Sequence, residues 1–145
     1  MMIEMFALNA SDVRKEWGGF IDNVVRKKPQ VIKRSRDYIF ATNAEQFKTI
    51  LKAYSFTANL FKEDDGSITL SLNEIDIVSN GKDMEEVLLN TANDLKDYAE
   101  EYYNEFEYWY AAPNRKPHLP YVLNVLCQSS IEGVKSIINA KLERT

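Results

Sequence analysis

Asn9-Ala10-Ser11-Asp12-Val13-Arg14-Lys15-Glu16-Trp17 leads into an apolar-periodic run ending at Val25, Arg26-Lys27-Lys28-Pro29 interrupts it, and Val31-Ile32-Lys33-Arg34 and Tyr38-Ile39-Phe40-Ala41 follow. The order reads as helix, turn and short hairpin. Val13, Trp17, Phe20, Ile21 and Val24 recur at helical spacing and predict one buried helical face. Asn9 offers an N-cap, and Asp12 lies near the positive end of the helix. Each glycine of Gly18-Gly19 costs roughly 1 kcal/mol relative to alanine, so two helices meeting at a bend are expected there. Pro29 stops the second helix, and two strands, Val31 to Arg34 and Tyr38 to Thr42, are expected on either side of Ser35-Arg36-Asp37. Upstream, Ile3 to Leu8 is suited to a first strand. Downstream, Thr42-Asn43-Ala44-Glu45 reads as a capping box opening a helix with Phe47, Ile50, Leu51 and Tyr54 on one face.

A second unit starts beyond Tyr54. Phe56, Ala58 and Leu60 alternate with Thr57, Asn59 and Phe61, and Ile68, Leu70 and Leu72 alternate with Ser67, Thr69 and Ser71. Asp65-Gly66 between them is a hairpin turn, and Ile75 and Ile77 supply a third short strand. After Asn80-Gly81, Asp83 with Glu86 caps a long amphipathic helix carrying Met84, Leu88, Thr91, Leu95, Tyr98, Tyr102, Phe106 and Trp109 or Tyr110, which ends before Pro113. Pro120 suits the first turn of a helix with Val122, Leu123, Val125 and Leu126. Ser129 or Ser130 caps a last helix with Ile131, Val134, Ile137, Ile138 and Leu142, completing a C-terminal helical hairpin. The fold class is α+β: residues 1–54 form a strand-helix-helix-hairpin-helix domain, and residues 55–145 a three-stranded antiparallel sheet with a long helix and the helical hairpin.

The formal charge of −4 over 145 residues conceals a division. Residues 1–52 hold ten Lys/Arg against six Asp/Glu, a balance of +4; residues 53–145 hold eight against sixteen, a balance of −8. Two surfaces for two partners are one explanation, the basic one facing a polyanion; two solvated charged surfaces are the other. No apolar run reaches the roughly 18 to 20 residues that span a bilayer. Glu4 stands where a signal peptide would be apolar, and the single cysteine, Cys127, permits no internal disulfide, so a cytoplasmic location and no membrane partner are expected. His118 is the only histidine, which leaves a Ser-His-Asp triad or a Cys-His pair resting on one loop residue. A zinc site with several His/Cys ligands is excluded, and no phosphate-binding glycine motif occurs. Glu63, Asp64, Asp65, Glu74 and Asp76 read as turn and edge residues rather than a Mg²⁺ site of the ribonuclease H kind. No catalytic residue, metal or cofactor is expected.

The first third of the chain resembles the Phd/YefM family of bacterial antitoxins. Asn9-Ala10-Ser11-Asp12-Val13-Arg14 is similar to that family's "Ser-x-x-Glu-x-Arg" helix, Val31-Ile32-Lys33-Arg34 to its "Val-Ile-Thr-Arg" strand, and Ile39-Phe40-Ala41 to the strand after its turn. The departure is the turn, where the family often has Gly and this chain has Ser35-Arg36-Asp37. The resemblance implies a dimer bound to a roughly palindromic operator DNA. Arg14 and Arg34 would contact the DNA, with Lys15, Lys33 and Arg36 as phosphate neighbours. Residues 56–100, with the segment Asn80 to Leu89, resemble the HicB-type antitoxin domain, a small partial version of the ribonuclease H fold. That likeness implies a toxin-binding domain, whose acidic surface suits a basic, RNA-binding toxin of the ribonuclease kind. The aromatic set from Tyr98 to Tyr110 is too rich for one buried face. Tyr102, Phe106 and Trp109 are expected to pack against the C-terminal elements, and Glu101, Tyr103, Glu105 and Tyr108 to face the partner. The reading is an autorepressing antitoxin that binds operator DNA and a toxin. The alternatives are a DNA-binding regulator without a toxin and a purely protein-binding module.

Overall fold

A computed structural model describes residues 2–142. The chain divides into two compact units between Ile50 and Leu51. In the first, a 3₁₀ turn, Met2–Phe6, precedes β1 (Leu8–Asn9), α1 (Ala10–Lys15), α2 (Trp17–Arg26), β2 (Gln30–Arg34) and β3 (Asp37–Ala41), and α3 (Ala44–Leu51) runs through the division. The sheet order is β1-β2-β3. β1 runs parallel to β2 with Leu8 opposite Ile32 and Asn9 opposite Lys33, and β2 and β3 form an antiparallel hairpin.

Three sequence expectations shift here. The strand expected over Ile3 to Leu8 shrinks to Leu8–Asn9, because the residues before it satisfy their backbone locally, with Ala7 N–H donating to Glu4 O. Two helices are present, but the bend falls at Glu16 rather than at Gly18-Gly19. Glu16 takes φ −112°, ψ 36°, its N–H donates to Asp12 O, and its own carbonyl accepts from Phe20. Both glycines lie inside α2. The third helix is capped one residue later than expected: Asn43 Oδ1 accepts from Gln46 N–H at 2.8 Å, while Asn43 Nδ2 donates to Val25 O at 3.0 Å. One side chain thus closes α2 and opens α3. That helix ends at Leu51, so Tyr54 lies beyond it.

The second unit contains β4 (Phe56–Lys62), β5 (Ile68–Leu72), β6 (Val78–Gly81), α4 (Met84–Asn104), α5 (Phe106–Ala111), a 3₁₀ turn at Lys116–His118, α6 (Leu119–Leu126), α7 (Ile131–Ser136) and β7 (Ile138–Leu142). The sheet is four-stranded, order β6-β5-β4-β7, and not the expected three-stranded antiparallel sheet. β4 would otherwise leave one edge unpaired, and β7 fills it by returning parallel, Phe56 opposite Ile138. The expected C-terminal helical hairpin therefore gives way: α7 has six residues, capped by Ser130 accepting from Gly133 N–H, and Ile138 onward is strand. Ile75 and Ile77 are not strand either. Ile77 N–H donates to Ile75 O across a tight turn instead of to a neighbouring strand, and Ile75 is buried in the core. β6 starts one residue beyond that turn.

Phe56, Ala58, Leu60, Leu70 and Leu72 from one sheet face pack with Val87, Ala92, Leu95, Ala99 and Tyr102 of α4 and with Val122, Val125 and Val134. Full burial of each larger side chain contributes about 1.5–3 kcal/mol. Gly81 is required by close approach, since a methyl there would meet Val87 Cα at 2.8 Å where α4 begins. Asp83 caps α4 by accepting from Glu86 N–H, as its spacing predicts. The long helix, however, ends at Asn104 and restarts at Phe106.

Candidate functional site

In the first unit the basic residues gather at one end of the sheet. The β1-β2 pairing sets Asn9 beside Lys33, so α1 leaves the sheet where Lys33 and Arg34 end β2, and α1 packs against that strand. Arg14 and Lys15 close α1, and Arg36 sits in the hairpin turn beside Ser35, whose φ of 55° is the left-handed conformation that glycine favours. All five side chains are exposed, and none forms an ion pair among the described residues. Arg34 and Asp37 are directly opposed in the hairpin, yet no ion pair joins them.

The strand period separates them by face. Ile32 packs on the Val13, Phe20 and Val24 cluster, so Arg34, two residues on, shares the helical side of the sheet with α1. Lys33 belongs to the reverse side with Val31, where its ammonium lies 5.8 Å from the Tyr38 ring centroid. The two arginines expected to contact a polyanion are thus brought to one side, and Lys33 is not.

The same unit exposes an apolar stripe. Phe20 and Val24 of α2 are buried, while Trp17, Ile21 and Val25, at i, i+4 and i+8, remain 57%, 37% and 54% exposed. Ile39 and Phe40 on the edge strand β3 are exposed as well. The cluster of buried residues is confined to Val13, Phe20 and Val24, with Ile32 and Ala41 packed on it, which is little core for a unit of this size.

In the second unit the aromatic segment folds back on itself. Trp109 lies eleven residues beyond Tyr98, and an unbroken helix would separate them by about 16 Å along its axis. Their ring centroids are 6.0 Å apart, because the chain turns at Glu105 (φ −114°, ψ 45°). Arg115 locks the fold-back. Its guanidinium lies over Tyr98 at 5.7 Å and over Trp109 at 5.6 Å, and donates to Asp76 Oδ1 at 2.6 Å and Oδ2 at 3.2 Å. Tyr102 Oη donates to Arg115 O at 2.8 Å. Tyr98 Oη and His118 Nδ1 are 2.6 Å apart, and Arg115 Nη1 donates to Tyr98 Oη at 3.5 Å, which favours the hydroxyl proton pointing to the imidazole. Burial raises the Tyr98 hydroxyl above its ordinary range and lowers His118, and the Arg115 hydrogen bonds hold the Asp76 carboxyl below the usual carboxylate range. The network is structural: it anchors the loop after β5, α4 and the segment before α6 together.

Tyr102 is fully buried and Trp109 partly so, whereas Phe106 reaches the surface, stacked on Tyr110 at 5.0 Å. Outside the fold-back lie Tyr103, 62% exposed, and Tyr108, 70% exposed, with the exposed Glu105 and Glu107 beside them. Of the four residues expected to face a partner, Tyr103, Glu105 and Tyr108 line one hollow, and Glu101, about 200° around α4 from Tyr103, does not. Arg115 escaped the sequence reading, since nothing in Pro113 to Pro117 points to a carboxylate nearly forty positions earlier. Among the described residues no group of three or more His, Cys, Asp or Glu could hold a metal ion, and no helix is long and apolar enough to cross a membrane.

The sequence profile of a family named PHD_like, described as the antitoxin of a RelE/RelB toxin-antitoxin system, matches residues 2–140. Among solved structures, an antitoxin part of a proposed toxin/antitoxin system from Syntrophomonas wolfei subsp. wolfei is similar with a TM-score of 0.90 at 39% identity, over 94% of this chain and 99% of that one. No curated protein matches the chain.

Proposed function

This chain belongs to the PHD_like family of RelE/RelB toxin-antitoxin antitoxins, and from that premise we propose that it works by two binding events: as a dimer on operator DNA through its first unit, and on its toxin through its second. In this reading the first unit is of the Phd/YefM kind and the second HicB-like, and the chain represses its own operator. Family membership makes a toxin the partner, so a regulator without one is set aside. The observation that carries the DNA reading is the pair Arg14 and Arg34, both exposed, both free of carboxylates and both on the helical side of the first sheet. Guanidinium groups so placed suit phosphates or a guanine edge. One protomer offers few such contacts, and the Trp17, Ile21, Val25 stripe is the surface a second copy would cover.

The test is an electrophoretic mobility shift on the DNA upstream of the coding sequence, comparing the natural chain with Arg14→Ala/Arg34→Ala. The expected result is a shift abolished by the double substitution, each lost base-edge contact costing about 1–3 kcal/mol, with the dimer mass unchanged. An unaltered shift would overturn the arginine assignment. No shift at low salt from either protein would leave an antitoxin that binds protein alone.

A further inference from the structure

We propose that the corner between α4 and α5 is an arginine-binding cleft that receives a basic segment of the toxin; the choice of partner rests on the toxin-binding reading of the second unit. The break at Glu105 leaves a shallow cleft, open to solvent along most of its face and about 490 Å³ in volume, lined by Tyr103, Glu105, Phe106, Glu107 and Tyr108 together with Asn104. Its two outer rings are the most exposed aromatics of the segment. Glu105 and Glu107 form no ion pair among the described residues, although Glu100 one turn earlier pairs with Lys96 at 3.2 Å.

What such a cleft takes is shown by the chemistry of the same segment on its inner side. There every ring that meets a cation is occupied from within the chain: Arg115 covers Tyr98 and Trp109, and Lys116 Nζ lies 4.9 Å from the Tyr110 centroid. Tyr103 and Tyr108 repeat that ring chemistry outside, with free carboxylates beside them and no cation. A guanidinium stacked on either ring would meet a carboxylate at its edge, replacing water on both at once. The balance of −8 over residues 53–145 decides among occupants. A second copy of this unit would bring like charge, and a nucleic acid or an anionic lipid surface would be repelled. A cationic protein segment is the complement, and arginine fits better than lysine because its planar group stacks and sheds water more readily.

The experiment titrates the ¹⁵N-labelled full chain with the peptide acetyl-Ala-Arg-Ala-Arg-Ala-amide at low salt, beside its citrulline twin, which keeps the shape and removes the charge. Amide shifts centred on residues 103–108, absent with citrulline, are expected. Tyr103→Ala/Tyr108→Ala should weaken binding by about fivefold or more, and Glu105→Gln/Glu107→Gln should do the same without altering shape. All substituted side chains are exposed, and an unchanged spectrum elsewhere verifies the fold. No shifts, shifts elsewhere, equal response to citrulline, or undiminished binding by the tyrosine variant would each overturn the cleft. Neutralisation of the toxin on coexpression with the full chain is read separately. Neutralisation without peptide binding overturns the cleft alone, whereas peptide binding without neutralisation overturns the toxin reading and the choice of partner.

Discussion

His118 shows what a single side chain does in this fold. Its imidazole faces Tyr98 from α4, Arg115 from the preceding loop and Asp76 from the loop before β6. Burial first, and then the Arg115 charge, hold it below its ordinary value of 6.5, with Asp76 opposing. An unfolded chain takes up a proton near that value which the folded unit refuses, so stability falls as pH drops through 6.5 and goes on falling until the lowered folded value is passed. Asp76 adds to the loss in stronger acid, its contribution complete above 3.8 and lost as pH falls through its lowered folded value. We predict that the melting temperature drops from about pH 7.5 to about pH 5.5, and that His118→Asn, which keeps an acceptor for Tyr98 but cannot titrate, flattens that drop. Thermal melts of both proteins across the window decide it; parallel curves would show that the proton binds elsewhere. Ser35 carries a different lesson. The turn carries serine rather than glycine and still adopts a glycine-like φ, so its backbone conformation follows the hairpin rather than the residue.

At the scale of elements, α2 was readable because its apolar spacing extends around two adjacent stripes. The Phe20 and Val24 stripe is covered by its own unit and the Trp17, Ile21 and Val25 stripe is left open. Ile21→Glu places a charge in the middle of the open stripe without touching the buried one. The expected outcome is a monomer by light scattering and loss of operator binding with helicity retained; a dimer of unchanged mass would move the interface elsewhere. Other elements were hidden for definable reasons. The α4-α5 break has neither glycine nor proline at Glu105, and it exists because Trp109 returns to Tyr98 and Arg115, a tertiary cause that overrides helix propensity. β7 depends on an open edge of β4 more than seventy positions away, whereas its isoleucines suit a helix as well as a strand. Of the candidate surfaces, the residue types were legible and their grouping was not. Strand period alone would have divided Lys33 from Arg34, but the side facing the helices had to come from Ile32 packing on α1 and α2.

Over the whole molecule, the division of charge would give the two proposed partnerships different dependence on salt. Residues 1–52 carry +4 and residues 53–145 carry −8, so an operator and a basic toxin would each be drawn to one part of the chain and repelled by the other. DNA binding releases condensed counterions, and about six to ten phosphate contacts per dimer would lose roughly three to five decades of affinity between about 50 and about 200 mM salt. Toxin binding has no condensed ion atmosphere to release. Its exposed charges are screened over about 10 Å at 0.1 M salt, but stacking on Tyr103 and Tyr108 and close carboxylate pairs act at contact distance, so about one decade should be lost over the same range. Raising salt on a complex of chain, labelled operator and labelled toxin should therefore release the DNA first and leave the toxin bound, read as two separate anisotropy transitions. Toxin leaving first, or both leaving together, would mean that the acidic half holds its partner by long-range charge alone, and that the aromatic corner contributes nothing to the grip.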